Sequence, residues 1–211
     1  MSHETLYLAV KLVDHYLMKE ICKKDKLQLL GSTAFLIAAK FEECCPPSVD
    51  DILYICNDIY KRDEMLAMEA SILKILKFDI NIPIAYHFLR RYAKCVYASM
   101  KTLTLSRFIC ELTLVEYDYV QERASKLAAA SFFLALCMNK LGHWAPILEY
   151  YSGYRISDLH ALVRQLNILL TFHSCNRLKA VHSKYSNKVF FEVTKIPPLD
   201  MLALDRILRC C

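Results

Sequence analysis

Lys40 and Glu69 are the two residues whose type and setting most plainly require a partner. Lys40 follows Ile37 and Ala39 and precedes Phe41, so an ammonium interrupts an apolar stripe near a helix end. Glu69 lies between Met65 and Ile72-Leu73, on the inner face of its own helical pattern. A charge so placed is costly unless it is paired or hydrogen-bonded. Two readings meet that demand. One is an internal salt bridge that fixes helix register; the other is a pair kept near the surface to hydrogen-bond the backbone of a partner.

Nothing else in the sequence assembles into a catalytic constellation. A phosphate-cradling loop needs several glycines together, and none of the three here is near another. Of seven histidines, no two share the i, i+4 spacing of a helical metal site. His87, His143 and His173 stand beside aromatic or apolar residues and read as packing or surface groups. Carboxylates are plentiful, but no spacing pairs them. The expectation is a protein that is not an enzyme and holds no cofactor or metal.

Ten cysteines raise the question of a disulfide or zinc framework. Cys22, Cys56, Cys95, Cys110 and Cys137 each stand alone, mostly in apolar helical stretches. No Cys-x-x-Cys occurs, and the adjacent pairs Cys44-Cys45 and Cys210-Cys211 have the wrong spacing for zinc. Reduced thiols acting as small buried hydrophobes fit this pattern, and they imply an intracellular compartment.

The elements that must position Lys40 and Glu69 are helices. Apolar residues recur at helical spacing almost throughout, as in Leu6, Ala9, Val10, Val13 and Leu17. Asp25 is placed to cap a helix carrying Leu27, Leu30, Ala34, Ile37 and Phe41, which Pro46-Pro47 ends. Ser48-x-x-Asp51 reads as a capping box before Ile52, Leu53 and Ile55. A further helix spans about 62–76 and stops before Pro83. Others are predicted over 84–98, 103–118, 122–140, 157–171 and 176–185, and the segment from Pro197 has no assignment. Only three glycines and six prolines are present, too few turn-formers for a β-sandwich or barrel.

The helices form an internal repeat. Residues Leu30 to Ala38 align with Leu127 to Ala135, and Tyr60, Met65, Ile72, Leu76 and Phe78 align with Tyr154, Leu159, Leu166, Leu170 and Phe172. The offset is about 95 residues in both places. Gly31, Ala34 and Ala38, like Ala128, Ser131 and Ala135, suit a central helix that neighbours approach closely. In the second copy two helices precede this small-residue helix; in the first only one does. The counterpart of helix 84–98 is therefore expected before Met1, and the first copy reads as one helix short.

The 211 residues, 55% hydrophobic and 23% charged, leave ample material for packed cores. The net charge of +5 is scattered, so nucleic acid is not an expected partner. No apolar run reaches the roughly 18 residues needed to cross a bilayer, because Lys40, Lys74 and Lys126 interrupt the best candidates. Met1-Ser2-His3-Glu4 lacks the basic start of a signal peptide. Neither a membrane nor a nucleic acid is expected.

At Lys40-Phe41-Glu42-Glu43, with Pro46-Pro47 close behind, the sequence closely resembles the cyclin box. Glu4 to Val10, Lys26 to Gly31 and Phe78-Asp79-Ile80 match as well, and Tyr86 to Ala93 looks most like the mitotic B-type cyclins, particularly their third subtype. The resemblance implies an all-α protein of two tandem cyclin-box bundles, the first N-terminally truncated: residues 1–81, then 82–186, then a tail over 187–211. It also implies a mitotic cyclin-dependent serine/threonine kinase as partner, in the nucleus and also the cytoplasm. The first box would pack on the kinase's mobile regulatory helix and activation segment. Lys40, Glu69 and Glu42 match the family's polar kinase-binding positions, and Ile37, Phe41, Leu73, Phe78 and Ile80 its apolar ones.

The departures carry implications of their own. The substrate-docking groove of such cyclins lies largely on the first box helix, with its Met-Arg-Ala-Ile-Leu signature and a downstream Trp. Only Leu27 and Gln28 of that groove have counterparts, so kinase substrates are expected as weakened partners. The long N-terminal region with the family's destruction signals has no counterpart in this sequence, and Cys44-Cys45 replaces an arrangement with one cysteine fewer. Two alternatives accompany this reading: a truncated cyclin whose exposed helices 4–19 and 26–43 impair folding or kinase activation, and a transcription-factor-like cyclin fold with a basic face for DNA.

Overall fold

A computed structural model describes residues 2–141, 144–173 and 179–210, apart from the side chains of His173 and Cys210. Among these residues the chain is helical throughout and contains no strand. It divides into two compact units, Met1–Ile84 and Ala85–Cys211. The first holds α1 (His3–Leu17), α2 (Leu27–Glu42), α3 (Val49–Ile55) and α4 (Arg62–Ile75). The second holds α5 (Ala85–Cys95), α6 (Met100–Leu112), α7 (Ala124–Met138), α8 (Pro146–Ser152), α9 (Ile156–His173), α10 (Ala180–Tyr185) and α11 (Met201–Cys210).

In the first unit α2 packs against α1 and α4. Leu29, Leu36, Val49, Ile52, Leu53, Cys56 and Met65 form a core there, with Phe35, Tyr60 and Met68 against it. Glu43, just past α2, ties the two ends of the unit's first helix pair together. Its carboxylate accepts from the Thr5 hydroxyl at 2.6 Å and from the Ser2 N–H, and these bonds hold it below its ordinary range. The predicted capping box of α3 is present, with Ser48 and Asp51 bonded reciprocally. Asp25 does not cap α2: it lies inside a 3₁₀ turn over Lys24–Lys26, and Lys26 stands at the cap without a side-chain bond.

The second unit repeats this order around a more deeply buried centre. Every residue of α7 from Leu127 to Met138 is buried, with α5, α6 and α9 packed around it. The equivalence reaches the helix caps. Ser2 accepts from the Thr5 N–H, and Ser99 accepts from the Thr102 N–H, with the hydroxyls 3.0 Å apart in each pair. Both threonines are buried. The small-residue expectation holds for Ala34, Ala38, Ala128, Ser131 and Ala135, which are fully enclosed. It fails for Gly31, where an added methyl would meet open space.

Four helices end in the Schellman geometry without a glycine. Asp58, Phe78, Ala98 and Leu141 each donate their N–H to the carbonyl five residues back, at 2.9–3.0 Å. The residues before them, Asn57, Lys77, Tyr97 and Lys140, have φ of 50–57°. Glycine scarcity therefore reflects side chains tolerated in left-handed conformations. The same geometry ends α5 at Cys95, short of the predicted 98, and α6 passes into 3₁₀ turns after Leu112 rather than running to 118.

Two helices had no sequence assignment. In α8, Pro146 occupies the first turn and Gly153, at φ 72°, closes the end. In α11, Asp200 accepts from the Ala203 N–H while Leu204 and Leu208 are buried. The predicted helix 176–185 is described only as Ala180–Tyr185, since 174–178, like His143, lie outside the described residues.

Two substitutions test this account. The Ser131 hydroxyl is buried and has no hydrogen-bond partner, at a position where the first copy carries Ala34. Ser131→Ala is expected to leave stability unchanged or raise it by up to about 1 kcal/mol, because an unsatisfied polar atom leaves the core. Tyr97 is 95% exposed at φ 50°, and Tyr97→Gly is expected to stabilise by about 0.5–1 kcal/mol through relief of left-handed strain. Urea denaturation midpoints check both, and a clear loss in either would refute the corresponding packing or backbone argument.

Candidate functional site

Lys40 and Glu69 meet across the α2–α4 contact. Lys40 lies in the last turn of α2, where a cation also complements the helix dipole. Its Nζ is 2.6 Å from Glu69 Oε1. The lysine side chain is 44% exposed and the glutamate 14%, so the pair opens on solvent from one side. A surface pair of this kind contributes at most about 1 kcal/mol to folding. An ammonium carries three donors and a carboxylate two acceptor oxygens, so one shared bond does not use up the hydrogen-bonding capacity of either group.

Repeat alignment sharpens the question of what the pair is for. The α2–α7 equivalence carries Lys40 onto Cys137, and the α4–α9 equivalence carries Glu69 onto Val163. Cys137 and Val163 are both buried. The fold therefore closes at these positions with apolar side chains, and register does not demand the charges. The Lys40–Glu69 pair is a property of the first unit alone.

The apolar candidates divide by depth. Phe41 is 47% exposed and follows Lys40, while Glu42 is half-buried at the helix end. Leu73 follows Glu69 by one turn of α4 and is half-buried, as is Ile80. Phe78 is 72% exposed and held at φ 58° directly after α4, an unfavourable backbone state for a large side chain. Ile37 differs: at 3% exposure it belongs to the core and supports this face from beneath. Leu66 extends the face in the other direction, being 40% exposed and one turn before Glu69. The 66, 69, 73 spacing on α4 was the available sequence signal for it.

Leu27 and Gln28 are exposed at the opposite end of α2. At 1.5 Å per residue they lie about 20 Å from Lys40 along the axis. They belong to a different surface, where the Lys26 ammonium reaches Glu64 at 2.9 Å and lies over the Tyr60 ring.

The cysteines are thiols at every described position. Cys56, Cys110 and Cys137 are buried, Cys22 and Cys95 half-buried, and Cys44 and Cys45 exposed. No three His, Cys, Asp or Glu side chains among the described residues gather closely enough to hold a metal ion. Among the described residues no helix is long and apolar enough to cross a membrane.

Residues 1–81 match the N-terminal cyclin domain and residues 83–199 the C-terminal cyclin domain. The protein named G2/mitotic-specific cyclin-B3 in Canis lupus familiaris is 79% identical over the whole of this chain, and that of Homo sapiens 72%. The chain spans only 16% and 15% of those two proteins. The Gallus gallus protein of the same name is 66% identical over 99% of the chain, which spans 52% of it. An X-ray structure of a viral cyclin from herpesvirus saimiri superposes with a TM-score of 0.73, covering 81% of this chain and 77% of that one. At 20% identity that likeness concerns the fold alone. Cyclins are non-catalytic regulatory subunits, and with both of their domains in sequence along its length this chain belongs to the cyclin family.

Proposed function

We propose that the chain is the kinase-binding part of a cyclin that activates a cyclin-dependent serine/threonine kinase of the mitotic type and so controls mitotic or meiotic progression. The observation that carries the proposal is the Lys40–Glu69 pair, bonded at 2.6 Å, partly open to solvent and replaced by buried Cys137 and Val163 in the second copy. A charged pair that the fold does not need, with exposed Phe41 next to Lys40 in sequence and exposed Phe78 following the helix that bears Glu69, has the composition of a protein-binding face.

On this reading Lys40 and Glu69 hydrogen-bond backbone groups of the kinase, while Phe41, Leu73, Phe78 and Ile80 fill apolar hollows beside them. Glu42 adds a rim charge, and Ile37 fixes the backbone beneath. The cyclin does no chemistry. It binds more tightly the kinase conformation in which the catalytic Lys–Glu pair and the metal-binding Asp are aligned, and its differential affinity sets the population shift. Leu27 and Gln28 remain for substrate docking, at a surface well separated from the kinase face. The nucleus, with the cytoplasm as a second compartment, is part of the same proposal.

The decisive variant exchanges the charges, Lys40→Glu with Glu69→Lys. The exchange preserves an ion pair within the chain, so thermal unfolding is expected to change by less than about 1 kcal/mol. Each charge is nevertheless reversed towards a partner. Co-purification with a mitotic cyclin-dependent kinase is expected to fall at least about thirtyfold, the scale of a binding hot spot. Undiminished binding would overturn the roles assigned to both residues. Calorimetry of the unmutated chain, alone and with the kinase, adds a second check. Stabilisation by the kinase should grow with its concentration as mass action requires, and an unchanged midpoint would count against direct binding.

A further inference from the structure

We propose that Cys44-Cys45 is a redox-modification site, in which a hydroperoxide oxidises one thiol and the adjacent thiol resolves it. Among the described cysteines these two alone are exposed. Cysteine ordinarily seeks burial, and Cys56, Cys110 and Cys137 follow that rule. The Cys44-Cys45 pair is not repeated in the second copy, where the equivalent of Cys44 is Leu141. Exposure together with a neighbouring resolving thiol is the arrangement that distinguishes a reversibly oxidised cysteine from an inert one. Among the described residues no third His, Cys, Asp or Glu joins the pair in a metal-binding group.

The connection that carries the pair is short and held at both ends. On one side the Glu43 N–H closes α2 on the Ala39 carbonyl at 2.9 Å, and its carboxylate holds Ser2 and Thr5. On the other, the Ser48–Asp51 box fixes the start of α3. Pro46-Pro47 stiffens what lies between. Oxidation proceeds in two balanced steps. One thiolate attacks a peroxide oxygen and gives a sulfenic acid, releasing hydroxide. The second thiolate attacks that sulfur, the S–S bond forms and hydroxide leaves. Two thiols and one hydrogen peroxide thus become one disulfide and two waters, the thiols losing two electrons to the peroxide. Closure of so small a ring must twist the 44–45 peptide, and the twist acts on the end of α2 that bears Lys40 and Phe41.

The test uses the whole reduced chain with hydrogen peroxide, followed by tryptic mass mapping. Cleavage after Lys40 and Lys61 isolates Cys44, Cys45 and Cys56 in one peptide, 41–61. That peptide is expected to lose two hydrogen atoms roughly tenfold faster than the isolated thiols Cys22 and Cys95 reach a disulfide, because the resolving thiol is already in place. Cys56→Ser should leave this loss intact, and fragmentation should place the bond between Cys44 and Cys45. Cys44→Ser and Cys45→Ser should each stop at a sulfenic acid that dimedone traps. Phenylarsine oxide, which bridges two nearby thiols, should be retained by the parent chain and lost from both variants. Oxidation no faster than at Cys22 or Cys95, a bond to Cys56, or arsenical retention in the single variants would overturn the proposal. A consequence for kinase binding rests on the function proposed above. It is read separately, as peroxide-induced loss of co-purification in the parent chain but not in the Cys44→Ser, Cys45→Ser double variant. The mass mapping therefore stands or falls independently of the kinase.

Discussion

Enclosure of one helix governs the second unit. From Leu127 to Met138 every residue of α7 is buried, so packing partners must occupy nearly its whole circumference. Small residues make this possible. Ala128, Ala129, Ala130, Ser131 and Ala135 let α5, α6 and α9 approach, while Phe132, Phe133 and Leu134 fill the space between them. Trp144 closes one end, stacked edgewise on Tyr92 and Phe133 with its indole N–H donated to the Tyr154 carbonyl. A helix enclosed in this way needs no amphipathic pattern, because none of its faces is destined for solvent.

The first unit uses the same plan with one relaxed side. Ala34 and Ala38 are enclosed by α1 and α4 as their counterparts are, but Gly31 and Phe35 are only half-buried and Leu27 is exposed. Where both copies obey the same packing constraint, their residues correspond, down to the Ser-x-x-Thr cap that opens α1 and α6. The two copies differ at Lys40 and Glu69, at the left-handed Phe78 and at the exposed Cys44-Cys45. Packing explains none of these. Residues in a repeat that escape the shared constraint are those left for recognition, which is the physical basis for seeking function in the first copy.

The helical class and the two-fold repeat were legible because 3.6-residue periodicity needs only apolar spacing. The proximity of Lys40 and Glu69 was legible as a demand, since two charges in apolar stripes require partners; that they would satisfy one another was left open. Other features were obscured by compensation elsewhere. Asp25 looked like a cap, but the chain tightens into a 3₁₀ turn before α2 begins. Gly31 looked like a close-approach residue, yet the neighbouring space is open. Ile37 is named by resemblance to a family position, and a sequence match carries no depth; the structure leaves it 3% exposed. The α8 and α11 boundaries were written as Pro146 with Gly153 and as Asp200 with Leu204 and Leu208, signals easily missed in short segments.

The chain beyond α9 shows how buried charge can hold a segment that has little core of its own. Glu111 and Arg107 lie on α6 at 2% and 8% exposure, positions where either alone would be destabilising. Tyr185 resolves both: its hydroxyl accepts from Arg107 at 2.9 Å and donates to Glu111 at 2.7 Å. Burial, and then the Glu111 charge, push the phenol's pKa upward, so it remains a donor. Lys184 completes the neutralisation with two bonds to Glu111, and the Arg107 guanidinium lies over the rings of Tyr185 and Phe190. Further along, Asn167 of α9 exchanges two hydrogen bonds with the Leu199 backbone, and Arg164 pairs with Asp205. Directional polar contacts thus set where the last segments dock, whereas apolar burial alone would have allowed α10 and α11 to slide along the bundle.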